Sequence, residues 1–599
     1  MCKMRFWDQL DQPKQTRDMV RKWGGLNRRP GAPENEFTDM SGFCADAYPA
    51  MTTAKDMIAH RTGGWIQGMI GGEELLVVVD GYLIAYPETE DGLRVYLGID
   101  GDHEVQLVRM GAYIVVFPDR VIYNSADGTV TAMDAVYSLT TPVSISYKLA
   151  RRDGTEFVDY TASDAAPSDP AGGQLWLDTS GDTAAMKQWD ENLAAWVPVA
   201  ETYVKIFGMT NFYKYGFRKG DGVVISGIGA ENEEVAALNG AKIIESIGTA
   251  QIVVAGILTK NYSETTLITI ARTAPDMDYV IECGNRLWGC KYGVVDGELV
   301  NEIYACALGD PTNWRKYQGL ASDSYAASRG SDGAWTGAIT YGGYPYFFKK
   351  GWREKVYPSS YGAHQIVATP CDGVESGKTL AIVGGYLFWQ SGRGVIAFDG
   401  SAFSIVDDPY NGLHGAVGCG CGEKYYLYAD SGAEGDDGVA EYPVYVYHMG
   451  TKLWHIEQRL SQYPARIAAL GGGTLYVASE GKIPTLIHYH DDSLIPGTSE
   501  PWEAVSTVYG CGSPDNKYIS RLNLRFRLAG KGELDIYIRY DSVGEWEHKL
   551  HADGSGLLLT RTAVILPKRC DHLELKLKGH GDFTLLSMAK ITEGGSDSL

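Results

Sequence analysis

The stretch "GGYLFWQSGRGVIAFDGSAFSIVDD", residues 384–408, decides how this chain reads. Short apolar runs, "YLFWQ", "GVIAF" and "FSIV", are separated by Ser-Gly-Arg-Gly and Asp-Gly-Ser. Aromatic and β-branched residues suit a pleated, half-buried surface, and glycine-containing breaks turn the chain back on itself. The stretch therefore predicts strand, turn, strand, turn, strand.

The same pattern recurs on both sides of it. It is present in "GGEELLVVVDGYLIAYPETEDGLRVYLG" from 71, "GAYIVVFPDRVIYNSADGTV" from 111 and "CGNRLWGCKYGVVDGELVNEIYACAL" from 283. It returns in "YGGYPYFFKKGWREKVYPS" from 341, "CGEKYYLYAD" from 421, "YPVYVYHMGTKLWHIE" from 442 and "GGGTLYVASEGKIPTLIHYHDD" from 471. Beyond position 341 the units follow one another about 40–50 residues apart, the length of one four-stranded propeller blade. The expected fold is all-β: a β-propeller of six or seven blades. Circular closure hides the sheet edges that a long all-β chain would otherwise expose.

The spacing jumps between the second and third units, which predicts an insertion of small β-modules over 140–275. Its first part, "GGQLWLDTSGDTAAMKQWDENLAAWVPV", sets Trp176, Trp189 and Trp196 on short strands around an Asp-Thr-Ser-Gly turn. Its second part, from "GFRKGDGVVISG", reads as a compact barrel or sandwich with one helical turn. After about 500 the strands lengthen and alternate apolar with charged residues, as in "ISRLNLRFRL" and "HLELKLKGHG", the signature of a half-exposed antiparallel sandwich. The expected domains are thus 1–139 (N-terminal segment and first blades), 140–275 (insertion), 276–500 (remaining blades) and 501–599 (C-terminal sandwich).

The formal net charge of −22 argues against a clamp on nucleic acid, which needs clustered Lys and Arg, but suits a wall past which DNA slides. The chain has 10 cysteines without a CxxC pair, so small buried hydrophobes in a reducing cytoplasm are expected. The first residues, "MCKMRFWDQLDQPKQTRDMVRKW", have no apolar core of a secretory signal, and no apolar run is long enough to span a bilayer. An N-glycosylation sequon at Asn261-Tyr262-Ser263 has no use without secretion.

Chemistry is sparse. Ser331-Asp332-Gly333-Ala334-Trp335 is too short for the Asp-box of sialidase-type propellers. His488 and His490 share a strand face beside Asp491 and Asp492, but a third metal ligand is missing. Gly435-Asp436-Asp437-Gly438 lacks the periodicity of a calcium loop, and Asp407-Asp408 reads as turn chemistry. "GIGAEN" at 227–232 is not followed by the Lys-Ser/Thr of a phosphate loop. The expectation is a chain that is not an enzyme, with no catalytic residue, metal or cofactor.

Three segments carry a resemblance. They are "GGLNRRPGAPENEFTDMSGFCADAYPAMTTAKDM" (24–57), "GNRLWGCKYGVVDGELVNEIYACALGDPTNWRKY" (284–317) and "LPKRCDHLELKLKGHGDFTLLSMAKITEGGSD" near the C-terminus. Together they resemble the tail-nozzle, or packaged-DNA stabilisation, proteins of tailed bacteriophages. The resemblance implies a propeller scaffold assembled as a ring, usually of six copies, below the portal and adaptor. Such a ring extends or closes the DNA channel, anchors fibres or needle components, and passes DNA without reading it. It implies a virion protein of the neck or tail, made in the host cytoplasm and not inserted in a membrane. Asp310, Pro311 and Trp314 of the Asp-Pro loop are the candidate blade contact, and Trp176, Trp189 and Trp196 a candidate dock. Two other readings compete. One is a glycan-binding or glycan-cleaving propeller, in which Trp176, Trp189 and Trp196, if exposed, stack on sugars, although the core of their small module would use them equally well and is the favoured reading. The other is a bacterial intracellular scaffold.

Overall fold

The structure is a computed structural model. It describes residues 15–61, 64–89, 91–359, 362–407, 412–430, 432–434, 438–461, 463–479, 486–490, 501–510, 517–554 and 559–593. It is nearly all strand, with one four-residue α-helix, Glu233–Ala236, and two short 3-10 turns among the described residues. The chain divides into two compact units: 1–104 with 348–352 and 370–599, and 105–347 with 353–369.

The opening stretch folds as read. Strands Ala381–Val383, Tyr386–Ser391, Gly394–Phe398 and Phe403–Ile405 form one antiparallel meander in chain order. Gly384 and Gly385 both take left-handed φ, 56° and 83°, which a two-residue hairpin of this twist requires. Phe388 and Trp389 are fully buried, and Phe388 stacks on Tyr425 of the following meander at 5.0 Å between ring centres.

Six further meanders share this plan. The first unit contains strands over 66–96, over 415–461 with a fifth strand, and over 465–490. The last of these is completed by a strand from the other end of the chain, Met57–Arg61, paired with Leu486–His490. That pairing ties the start of the propeller to its end. The second unit contains the meanders over 106–132 and 279–328 and most of the one over 335–370. The fold class is an all-β propeller, and seven such meanders lie among the described residues.

The first unit also holds two larger sheets around one core that includes Trp502, Phe526, Ile536 and Phe583. This is the C-terminal sandwich, and the N-terminal segment belongs to it. Strand Phe37–Ser41 pairs with Trp502–Ser506, and Met51–Thr53 pairs with the last strand, Phe583–Glu593.

In the second unit the insertion runs from strand Ala135–Ser138 to strand Thr269–Arg272. A four-stranded and a five-stranded sheet enclose a core of Tyr137, Tyr147, Phe212 and Ile225. A smaller four-stranded sheet over 160–198 contains the three tryptophans. One hairpin is unusually long: Leu287–Val295 pairs with Glu298–Ala305, and the tip places Val294 opposite Leu299 at 73% and 71% exposure.

Candidate functional site

A cleft of the second unit, about 710 Å³ in volume, opens between the insertion and the loop over 306–324. That volume lies inside the usual span for small-ligand sites, roughly 300–1,000 Å³. Its lining is mostly polar.

The loop wall is built by the segment that suggested the nozzle resemblance. Asp310 accepts hydrogen bonds from the Thr312 amide (3.0 Å) and hydroxyl (2.7 Å), fixing a turn. Trp314 is buried in a core shared with the 106–132 and 279–328 meanders, and its indole donates to the Pro311 carbonyl at 2.8 Å. The buried guanidinium of Arg286 clamps the loop. It donates to the carbonyls of Cys306 (2.8 Å), Asp323 (2.6 Å) and Ala321. Asp323 in turn receives the amides of Leu320 (3.0 Å) and Gln318. The held loop presents Arg315, Tyr317 and Gln318 to the cleft.

The facing wall belongs to the insertion. Asn313 joins the two: its side chain accepts from the Gly222 amide (3.1 Å) and donates to the Gly220 carbonyl (2.9 Å). Glu245, only 8% exposed, is gripped by Arg152 at 2.8 Å on one oxygen, and its other oxygen accepts from Gln318 at 3.0 Å. Tyr203 donates to Glu201. Burial, aided by that carboxylate, pushes the Tyr203 phenol up to about 12. Burial alone pulls Lys242 below the usual lysine range. Tyr317 stays 52% exposed, with its hydroxyl on the Trp314 carbonyl at 3.3 Å.

The cleft therefore combines a half-open tyrosine ring, planar guanidinium and amide donors, and two carboxylates. Aromatic faces with one wet edge stack on sugar rings, and fork-shaped donors and acceptors match paired hydroxyls. Carboxylates are also the groups that carry acid–base work on glycosidic bonds.

No family model and no curated protein matches the chain. Among solved structures it is similar to the extracellular domain of a one-component system from B. thetaiotaomicron. That match has 9% identity and a TM-score of 0.20, covering 92% of this chain and 95% of that one. It is also similar to an exo-β-1,3-galactanase from Phanerochaete chrysosporium, at 11% identity and a TM-score of 0.16 over 70% of this chain and 99% of that one. A third is a glycoside hydrolase family 43 arabinoxylan arabinofuranohydrolase from Bacillus subtilis, at 7% identity and a TM-score of 0.16 over 88% and 95%. The expectation of a chain that is not an enzyme is corrected here: two of these three similar structures are glycoside hydrolases. TM-scores this low assign no activity or substrate to this chain.

The tryptophans of the insertion lie apart from the cleft lining. Trp176 is a core residue, 6% exposed, with its indole on the Ser163 carbonyl and hydroxyl, both at 3.1 Å. Trp189 and Trp196 face each other across neighbouring strands, and Trp196 meets both other rings edge-on at 5.3 and 5.5 Å. Ser331 donates to the fully buried Glu354, and Trp335 fills a blade core, so neither makes an Asp-box. The side chains of His488 and His490, together with Asp408, Asp491, Asp492 and 435–437, lie outside the described residues.

Two other polar clusters are self-satisfied. In the first unit Lys424 bridges Asp46 (2.8 Å) and Glu457 (2.7 Å), which saturates its charge. Asp541, Asp571 and His572 lie close enough to share a metal ion. Their atoms already serve a turn: Asp541 holds the amides of Asp571 (2.8 Å) and His572 (3.1 Å), and His572 bonds to Asp571 (2.8 Å) and Ser542 (2.9 Å).

Local sequence had no signal for Arg152, Tyr203, Lys242 or Glu245, since the cleft gathers them from separate strands and turns. The loop wall was nearer to hand: "NWRKYQ" sets Arg315, Tyr317 and Gln318 directly behind Trp314.

Proposed function

We propose that this chain is a carbohydrate-handling propeller, and that the cleft between the insertion and the 306–324 loop holds the sugar. The observation that carries this reading is the Glu245 bridge. One carboxylate links Arg152 on the insertion to Gln318 on the loop, beside the open Tyr317 ring, which preorganises hydrogen-bonding groups around an aromatic face. Glu201 and Glu245 are the carboxylates available should the bound glycan be cleaved. The test is a glycan array followed by calorimetry and a reducing-end assay on the best binder. Tyr317→Ala should weaken binding at least tenfold, and Glu245→Gln should abolish any hydrolysis. Full binding by both variants would refute the site.

A second reading places the chain in the neck or tail of a tailed phage, as a ring of copies. The long hairpin favours it, because Val294 and Leu299 project an apolar cross-strand pair that a neighbouring copy would cover. Quantitative mass spectrometry of purified particles tests it: a six-fold ring under a twelve-fold portal gives about half as many copies as portal subunits. Absence from particles would dismiss it.

A further inference from the structure

Lys242 stands on the insertion wall, on strand Gly240–Ile243, and Arg315 on the loop wall. Neither side chain has a hydrogen bond or ion pair with any of the described residues. For half-buried Lys242 this is unexpected in a chain with 75 acidic against 53 basic residues, where most buried or half-buried cations find a carboxylate; Arg315 is exposed and adds a second cation to the lining. Lys291, Lys424, Arg272 and Arg539, for comparison, are each paired at 2.5–2.7 Å. The cleft's ionic groups are Arg152, Lys242 and Arg315 against Glu201 and Glu245, so three cations face two anions inside a strongly acidic molecule. Lys242 is also half-buried, so its charge has lost water without gaining a counter-ion, a cost that a bound anion would reverse.

We propose that the ligand of this cleft is an acidic glycan, with a carboxylate or sulfate substituent seated between Lys242 and Arg315 and its ring on Tyr317. This rests on the carbohydrate reading above and specifies its substrate class. The anion replaces the missing counter-charge, and Glu245 stays with Arg152 and Gln318. Arg315 offers a planar fork to the anion and Lys242 a point charge.

The experiment uses the full chain and three probes of equal length: an oligogalacturonate, a sulfated galactan oligosaccharide and an uncharged galactan oligosaccharide. Calorimetry is run at low and high salt on the wild type, Lys242→Met, Arg315→Gln and the double variant. Neither side chain hydrogen-bonds or pairs with another among the described residues, so the variants should keep a melting temperature close to that of the wild type. The expected result is binding of at least one acidic probe tenfold or more above the neutral one. That preference should shrink with salt and vanish in the double variant. The choice between galacturonate and sulfated probe identifies the anion. Equal binding of neutral and acidic probes, or a preference that survives the double variant, overturns the inference while the carbohydrate reading stands. Binding of no probe overturns both.

Discussion

Gly222 is where the insertion meets the loop wall of the cleft, and its substitution tests how that wall is held. A Cβ added there would lie 2.3 Å from both the carbonyl carbon and oxygen of Arg315, and 2.7 Å from the Lys316 nitrogen. Ordinary carbon contacts begin near 3.4 Å, so the two segments must part by about 1 Å. All three obstructing atoms are backbone, so no side chain can swing away. Overpacking of this kind costs about 1–3 kcal/mol. Parting the walls also strains the Asn313 bonds to Gly222 and Gly220, each worth about 0.5–1.5 kcal/mol. Gly222→Ala should therefore destabilise the second unit by roughly 2–4 kcal/mol, a fall in Tm on the order of 5–15 °C. It should also weaken ligand binding, because Arg315 is displaced directly. The matched control is Gly330→Ala, where nothing lies within 4 Å and the backbone is not left-handed. That change should be neutral, or stabilising by about 0.4–1 kcal/mol. Differential scanning fluorimetry and calorimetry with the preferred glycan read both effects. A Gly222→Ala protein with wild-type Tm and affinity, or an equal loss in the control, would refute the argument.

Three further outcomes are expected. Trp176→Ala should cost about 3–5 kcal/mol locally and open the 160–198 module to proteolysis, while leaving cleft binding intact. The sandwich should be pH-sensitive through Asp535, which both His548 and His551 contact at 2.8 Å. Hydrogen bonds that the His551 ring donates to Asp535 and then Asp553 raise His551 above the usual histidine range, so its contribution is full below about pH 6.5 and fades as pH rises through the raised value. Burial pushes Asp535 up, but the two histidines outweigh it and hold it low, so its contribution is present above about pH 4 and is lost as pH falls further. Tm against pH should thus decline above neutrality in the wild type and flatten there in His551→Gln. In thiol labelling, half-exposed Cys371 and Cys421 should react first among the described cysteines. Cys306 and Cys419, both pushed up to about 12 mainly by burial, should react only on unfolding.

Much of the fold is legible in local sequence. "YLFWQSGRGVIAF" contains its strands in the apolar runs and its turns in the glycines, and both signals act over a few residues. The insertion and the long alternating strands beyond 500 are written in the same way. Pairings between distant segments are not. Nothing near Phe37–Ser41 announces that it lies against Trp502–Ser506, or that Met57–Arg61 completes the last blade. An edge strand's hydrogen-bonding groups are the same whichever partner they meet, and burial of the whole sheet face chooses among partners.

The cleft is the sharper case. Sequence alone picked out Asp310, Pro311 and Trp314, because a turn and a large aromatic carry local signatures. It picked out the tryptophans of the insertion for the same reason, although Trp176 serves its module's core. Arg152, Tyr203, Lys242 and Glu245 look like ordinary strand and turn residues in the chain. They become a site only when Arg286 fixes the loop, and Asn313 and Gly222 bring it against the insertion. Sequence therefore determined the strands, the turns and the propeller class, which depend on short-range periodicity. Tertiary structure alone decided which charges lost their counter-ions, because desolvation and pairing are set by neighbours far away along the chain.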